Sequence, residues 1–138
     1  MTDSMLEAEV AAFFDRYMDA FGTFDGKAIA SCYHAPVITL RGDGSIHCLA
    51  SADEVTNFFQ TVADSYAREG SGSESRRSNL RVIPLGGRSA LATVDWEMLR
   101  PDGSAIRGWQ QSYNLVRGHA GWQILVSTFH VAAEQRAD

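Results

Sequence analysis

The sequence predicts an α+β fold in which three N-terminal helices cover one face of a curved antiparallel sheet. Three observations predict it. Apolar residues recur at helical spacing in three stretches before Gly70. After Ser73 they alternate as they do in strands. Two tight turns, Pro101-Asp102-Gly103 and Gly118-His119-Ala120-Gly121, then fold the stretch from Arg88 to Val131 into three antiparallel strands. Helices followed by strands, without crossover helices between the strands, make an α+β arrangement rather than a doubly wound sheet.

Ser4 followed by Glu7 is a capping-box pattern. Leu6, Val10, Phe13, Phe14, Tyr17 and Phe21 then share one broad helical face, and Gly22 ends the helix. Asp25 caps a second, shorter helix with Ile29, Cys32 and Tyr33 on its apolar side. Pro36 stops that helix by restricting the residue before it. Val37 to Leu40 and Ser45 to Leu49 pair as a small hairpin around Gly42-Asp43-Gly44. Ser51 and Glu54 repeat the capping box for a third amphipathic helix through Val55, Phe58, Phe59, Val62 and Tyr66, ending near Gly70. Ser71-Gly72-Ser73 is a flexible break, and the chain after it is too short for a second domain. The next strand spans Ser78 to Leu85, with Pro84 at its end or on a sheet edge because proline lacks a backbone donor. Gly86-Gly87 turns into a strand with Ala90, Ala92, Val94, Trp96 and Met98 on one face and Leu91, Thr93, Asp95, Glu97 and Leu99 on the other.

Two-residue loops fix the pairing of the last three strands by arithmetic. Asp102-Gly103 sets Trp96 opposite Trp109, and His119-Ala120 sets Trp109 opposite His130. Directly paired residues share a face. Trp96, Trp109 and His130 are therefore expected in one row, followed by Val94, Gln111 and Thr128, then by Ala92, Tyr113 and Val126. This apolar wall with a few polar groups describes a pocket facing the helices. The opposite face carries Asp95, Glu97, Gln110, Ser112, Asn114 and Ser127. Carboxylates buried without partners would cost several kcal/mol each, so this is the wetter face. Leu91, Leu125 and Phe129 fall on it and are expected to supply a modest homodimer interface. A bulge in any strand would shift this parity.

Composition narrows the function. The chain has 138 residues, 45% hydrophobic and 21% charged, with a formal net charge of -5. An acidic balance without a basic stripe argues against nucleic acid as a partner. No apolar run approaches the ~20 residues of a membrane helix. The acidic N-terminus lacks the pattern of a secretory signal, so a cytoplasmic location is expected. Cys32 and Cys48 have no metal-type spacing. They read as buried free thiols, with a disulfide as the alternative in an oxidising compartment. The four histidines show no metal-ligand spacing, and no glycine pair opens directly into a helix, so neither metal nor cofactor is expected. His34, His47 and His119 read as structural.

One further pattern runs through Phe13-Phe14-Asp15-Arg16-Tyr17, Asp25, Tyr33, Gly42-Asp43-Gly44, Asp53 to Phe59, Pro101-Asp102-Gly103 and Gly121-Trp122-Gln123-Ile124. Over about Glu7 to His130 it resembles the nuclear transport factor 2-like superfamily, in its SnoaL-like and ketosteroid-isomerase-like branch. The resemblance implies a single domain over residues 1–138: a cone-shaped, cystatin-like roll whose curved sheet wraps the helices, with a pocket at the open end. It also implies homodimers through the outer sheet face. In ketosteroid isomerases a first-helix tyrosine donates to the developing oxyanion, and Tyr17 stands in a similar context. Their first-strand aspartate has no counterpart in Val37-Ile38-Thr39-Leu40-Arg41, and Asp95 falls on the face away from the pocket.

These readings converge on a domain that binds a small, largely apolar or aromatic molecule. His130 is the candidate acid or base, since imidazole titrates near neutrality, and Tyr17 the candidate donor. Trp96, Trp109, Gln111, Tyr113 and Thr128 are the candidate ligand-binding residues. The reaction expected is of the isomerase, dehydratase or cyclase kind. The alternative is a non-catalytic ligand-sensing, carrier or dimerisation domain with the same pocket.

Overall fold

The computed structural model describes residues 2–132. It contains helices α1 (Asp3–Gly22), α2 (Gly26–Ala30) and α3 (Ala52–Arg68) and strands β1 (Tyr33–Leu40), β2 (Ile46–Leu49), β3 (Ser75–Pro84), β4 (Ser89–Leu99), β5 (Ala105–Gly118) and β6 (Gly121–Phe129). The strands form one curved, unclosed sheet in the order β2-β1-β6-β5-β4-β3. This is the expected α+β roll, with one refinement. The β1–β6 pair is parallel, so the sheet is mixed rather than wholly antiparallel. Among the described residues no helix is long and apolar enough to cross a membrane.

Local signals set the helix ends. Thr2, rather than Ser4, caps α1 by accepting from the Met5 amide at 3.2 Å. Asp25 caps α2 through the Lys27 amide at 3.0 Å. Ser51 caps α3 through the Glu54 amide at 3.2 Å, while Glu54 reaches back to the Ala50 amide at 2.7 Å. A cap contributes about 1 kcal/mol. Burying a large apolar side chain contributes roughly 1.5–3 kcal/mol, and Val10, Phe14 and Phe59 are fully buried. The apolar faces, not the caps, therefore hold these helices on the sheet. α1 packs against β3, α3 against β1 and β2, and α2 against α3.

Two expectations near the second helix are corrected. α2 is one short turn, and Tyr33 begins β1 rather than extending the helix. Pro36 lies inside β1, after a cis peptide. The thiols also differ from expectation: both are free, Cys32 is buried, but Cys48 is exposed on β2.

The β4–β5 register agrees with the arithmetic although the loop does not. Trp96 pairs with Trp109 and Val94 with Gln111. The turn closes through Arg100 and Ser104, whose amide and carbonyl meet at 2.8 Å, and an irregularity between Met98 and Leu99 absorbs the extra residue. The second hairpin shows the reverse. Gly118 pairs with Gly121 around the expected two-residue loop, with Gly121 at φ 92°, where a side chain would be strained. The register then slips: Leu115 pairs with Ile124, but Asn114 pairs with Val126. That bulge at Leu125 reverses every face beyond it. Ser127 and Phe129 turn inward, and Val126, Thr128 and His130 turn outward.

Candidate functional site

Among the described residues the sheet and helices border a half-open cavity of about 60 Å³, several times the roughly 10–15 Å³ a single water requires. The end of α1, the Ser71–Ser75 segment, β4, β5, Phe129 and Arg41 bound it. Gly22 makes one wall thin: a Cβ there would collide with the Ser73 carbonyl. The α1 terminus can thus lie directly against the loop before β3.

The floor is a set of aromatic side chains with inward polar tips. The Tyr17 and Tyr33 hydroxyls lie 3.0 Å apart. Trp96 donates its indole N–H to the Tyr113 hydroxyl at 2.9 Å. Tyr17, Tyr33, Trp96 and Tyr113 are each under 10% exposed, at 7%, 3%, 5% and 1%. Burial pushes all three phenols above their ordinary pKa, so they remain neutral at physiological pH. A neutral phenol is a proton donor, and Tyr17 and Tyr113 both line the cavity. The Phe14 ring packs on Tyr17, Trp96 and Tyr113 with centroids 5.9, 6.0 and 5.1 Å away, which fixes their rotamers from below.

The upper wall is held differently. Trp109 donates its indole N–H to Gln111 Oε1 at 3.0 Å, and Gln111 donates from Nε2 to Ser127 Oγ at 2.6 Å. Gln111 and Ser127 are buried, at 3% and 0% exposure. The amide is thus occupied at both ends, and its visible work is to orient the indole. Trp109 stacks on Phe129 with centroids 5.7 Å apart and planes 13° apart. The Arg107 guanidinium sits 4.8 Å from the Trp109 centroid and forms a fork onto Glu69 at 2.8 and 3.2 Å. Those bonds hold the Glu69 carboxyl below its ordinary pKa.

Tyr17, Trp96, Trp109, Gln111 and Tyr113 therefore gather around the cavity. His130 and Thr128 do not. The bulge at Leu125 carries both to the outer face, where Thr128 pairs with Ser112 and His130 Nε2 lies 2.7 Å from Ser112 Oγ. Ser112 continues to Thr93 Oγ1 at 2.8 Å. The expected row of Trp96, Trp109 and His130 is corrected: Phe129, one residue earlier, takes the inward place. Asp95 and Glu97 do lie outward, Asp95 with Asn79 and Gln110 and Glu97 with Arg76. Bonds from Asn79 and then Gln110 hold the Asp95 carboxyl low.

Sequence reasoning missed Arg41, Tyr66 and the inward Phe129. A signal existed for Arg41: it lies in phase with Val37 and Thr39, both buried on the inner face of β1. Phe129 carried none, because Ile124, Leu125 and Val126 are all apolar and so hide where the bulge breaks the alternation of β6. Among the described residues no three His, Cys, Asp or Glu side chains gather to hold a metal.

Comparison with known proteins is consistent with this architecture. The sequence of the NTF2-like protein family DUF6841 matches residues 8–132. No curated protein matches. Among solved structures, a cystatin-like-fold protein of unknown function from Nostoc punctiforme superposes with a TM-score of 0.74 at 12% identity, covering 93% of this chain and 92% of that one. An NTF2-like protein with a cystatin-like fold from Novosphingobium aromaticivorans gives 0.72 at 14% identity, covering 97% and 87%. An NTF-2 like protein of unknown function from Shewanella oneidensis gives 0.69 at 11% identity, covering 89% and 97%. At such identities the structural likeness speaks for the fold alone, while the sequence match over residues 8–132 assigns the family: the chain belongs to the NTF2-like DUF6841 family.

Proposed function

We propose that this domain binds a small, largely apolar or aromatic molecule, with Trp109 and Phe129 against its body and the Tyr17 hydroxyl donating to a polar atom at its inner end. The observation that supports this most is the combination of an aromatic cavity with neutral, buried phenols at its floor. Apolar walls with a few fixed polar groups are the usual makeup of a ligand site.

The non-catalytic reading, a sensing or carrier domain, fits the side chains better than acid–base catalysis. A proton-abstracting step needs a base within about 3 Å of the substrate. Among the described residues the carboxylates bordering the cavity are Glu74 and Glu97, and Glu97 turns to Arg76. His130 stands on the opposite face of the sheet. Tyr17 could polarise a carbonyl, but an isomerase-like reaction would then need Glu74, or the substrate itself, as the base.

The same proposal includes a homodimer through the outer sheet face, in a cytoplasmic setting suited to two free thiols. Ile83 and Leu91 are paired neighbours on that face and stay 58% and 39% exposed, and Ile38, beside Val126, is 45% exposed. Light scattering coupled to size exclusion tests it: Leu91→Glu should convert a dimer to a monomer, and a wild-type monomer would remove the idea. For the pocket, native mass spectrometry of protein freshly isolated from a host should show a co-purified small molecule that Trp109→Ala no longer retains. Retention unchanged by Trp109→Ala would place the molecule elsewhere.

A further inference from the structure

We infer that the molecule taken by this pocket is an anion, an aromatic or apolar carboxylate whose acid group pairs with Arg41. This rests on the pocket reading above and narrows it.

Arg41 follows β1 and borders the cavity. Its guanidinium is held by aromatic faces: Cζ lies 4.6 Å from the Phe129 centroid, 5.8 Å from Phe58 and 5.9 Å from Phe59. Among the described residues the guanidinium makes one hydrogen bond, a long 3.5 Å contact from Nη2 to the Tyr66 hydroxyl. Among the described residues no carboxylate pairs with it. Arg16, Arg68, Arg88 and Arg100 also show no ion pair among the described residues, so the contrast that bears on the cavity is with Arg107. Arg107, the other arginine against the same aromatic wall, is forked onto Glu69.

A guanidinium carries five N–H donors in one plane. Cation–π contact engages its face and leaves the edge donors free. Arg41 is half-buried, so its charge is partly removed from water without an anion to offset that loss. An edge-on, bidentate carboxylate satisfies the remaining donors in the geometry arginine favours. An acid group at Arg41 and a second polar atom at Tyr17 would share one chamber, which Glu74 and Glu97 also border. Phe129 links the two parts of the wall: one face meets Arg41, and the ring stacks on Trp109. A flat apolar body lying along Trp109 and Phe129 would present a terminal carboxylate to Arg41.

The test compares matched probes, 2-naphthoate and 2-naphthamide, by isothermal titration calorimetry against wild type, Arg41→Gln and Arg41→Lys. The pair has the same ring and nearly the same shape and differs in charge. Wild type should bind the acid about tenfold more tightly than the amide, as expected when a bidentate carboxylate rather than a neutral amide meets the guanidinium. Arg41→Gln should bring that ratio to about one, weakening the acid far more than the amide, and Arg41→Lys should keep part of the preference because it retains charge without the fork. Equal affinities in wild type would overturn the anion assignment and leave the pocket reading standing. A preference that survives in folded Arg41→Gln would overturn it as well. Binding of neither probe up to its solubility limit would overturn both readings. The wild-type comparison stands by itself if a variant fails to fold.

Discussion

Deleting both hydroxyls of the Tyr17–Tyr33 pair should destabilise the protein by less than the sum of the two single deletions. The two oxygens lie 3.0 Å apart, in side chains 7% and 3% exposed. Tyr17→Phe removes one partner and keeps the ring in place among Phe14, Phe21 and Trp96. The packing term is then nearly constant, and what changes is the Tyr33 hydroxyl, left buried without that partner, an unsatisfied group that costs about 1–3 kcal/mol. Tyr33→Phe should cost less, because the Tyr17 hydroxyl keeps that of Tyr113 as a partner. The double variant replaces both polar groups by apolar ones of the same shape while Tyr113 keeps Trp96, so it should cost less than the sum of the two. The cycle should therefore show a coupling of about 1–3 kcal/mol in urea unfolding at neutral pH, read from midpoints with unchanged slopes. Additivity to within about 0.3 kcal/mol would refute the reasoning, because it would mean each hydroxyl has its own independent partner.

Other perturbations bear on the same site. Trp109→Ala should abolish 2-naphthamide binding in calorimetry and lower stability by about 2–4 kcal/mol, less than full burial would give, because the indole is half-buried. His130→Gln should leave probe affinity unchanged and shift stability by no more than about 1 kcal/mol, the worth of one exposed hydrogen bond; a loss of binding would return His130 to the pocket. Alkali should destabilise the fold. The phenols of Tyr17, Tyr33 and Tyr113 have pKa values raised above their unfolded value of 10.0. The unfolded chain then releases protons that the folded one keeps, so stability is complete below about pH 10 and falls above it. Each phenol contributes about 1.4 kcal/mol per pH unit once it ionises only on unfolding. Phenolate absorbance of these tyrosines should rise together with loss of the near-UV circular dichroism, and ionisation well before unfolding would show that they are not buried.

Much of the fold was legible because its signals are local. Asp25, Ser51 and Glu54 announced two helix starts, and the spacing from Leu6 to Phe21 announced α1. Trp96 met Trp109 as expected, although by two departures that cancelled: a longer turn at Pro101-Asp102-Gly103 and an irregularity beside it. The β5–β6 hairpin had no such cancellation. One extra residue at Leu125 sent His130 outward and Phe129 inward. Leu125 sits among Ile124, Val126 and the hydroxyls of Ser127 and Thr128, so either parity buries a plausible set, and hydrophobic alternation could not choose. The parallel β1–β6 pairing was equally invisible, since it joins segments some ninety residues apart (Tyr33 with Ile124) that no turn connects. Arg41 could have been found by asking which side chain continues the inward phase of Val37 and Thr39. The role of Gln111 in orienting the Trp109 indole needed Ser127 inward first.

Intermolecular nuclear Overhauser contacts between bound 2-naphthoate and isotopically labelled protein would test most directly where a guest sits. Cross-peaks from the naphthalene protons to the rings of Trp109, Phe129 and Tyr17 are expected. Cross-peaks to His130 and Thr128 instead would mean that the outer face of the sheet, not the chamber beneath Trp109, receives the ligand.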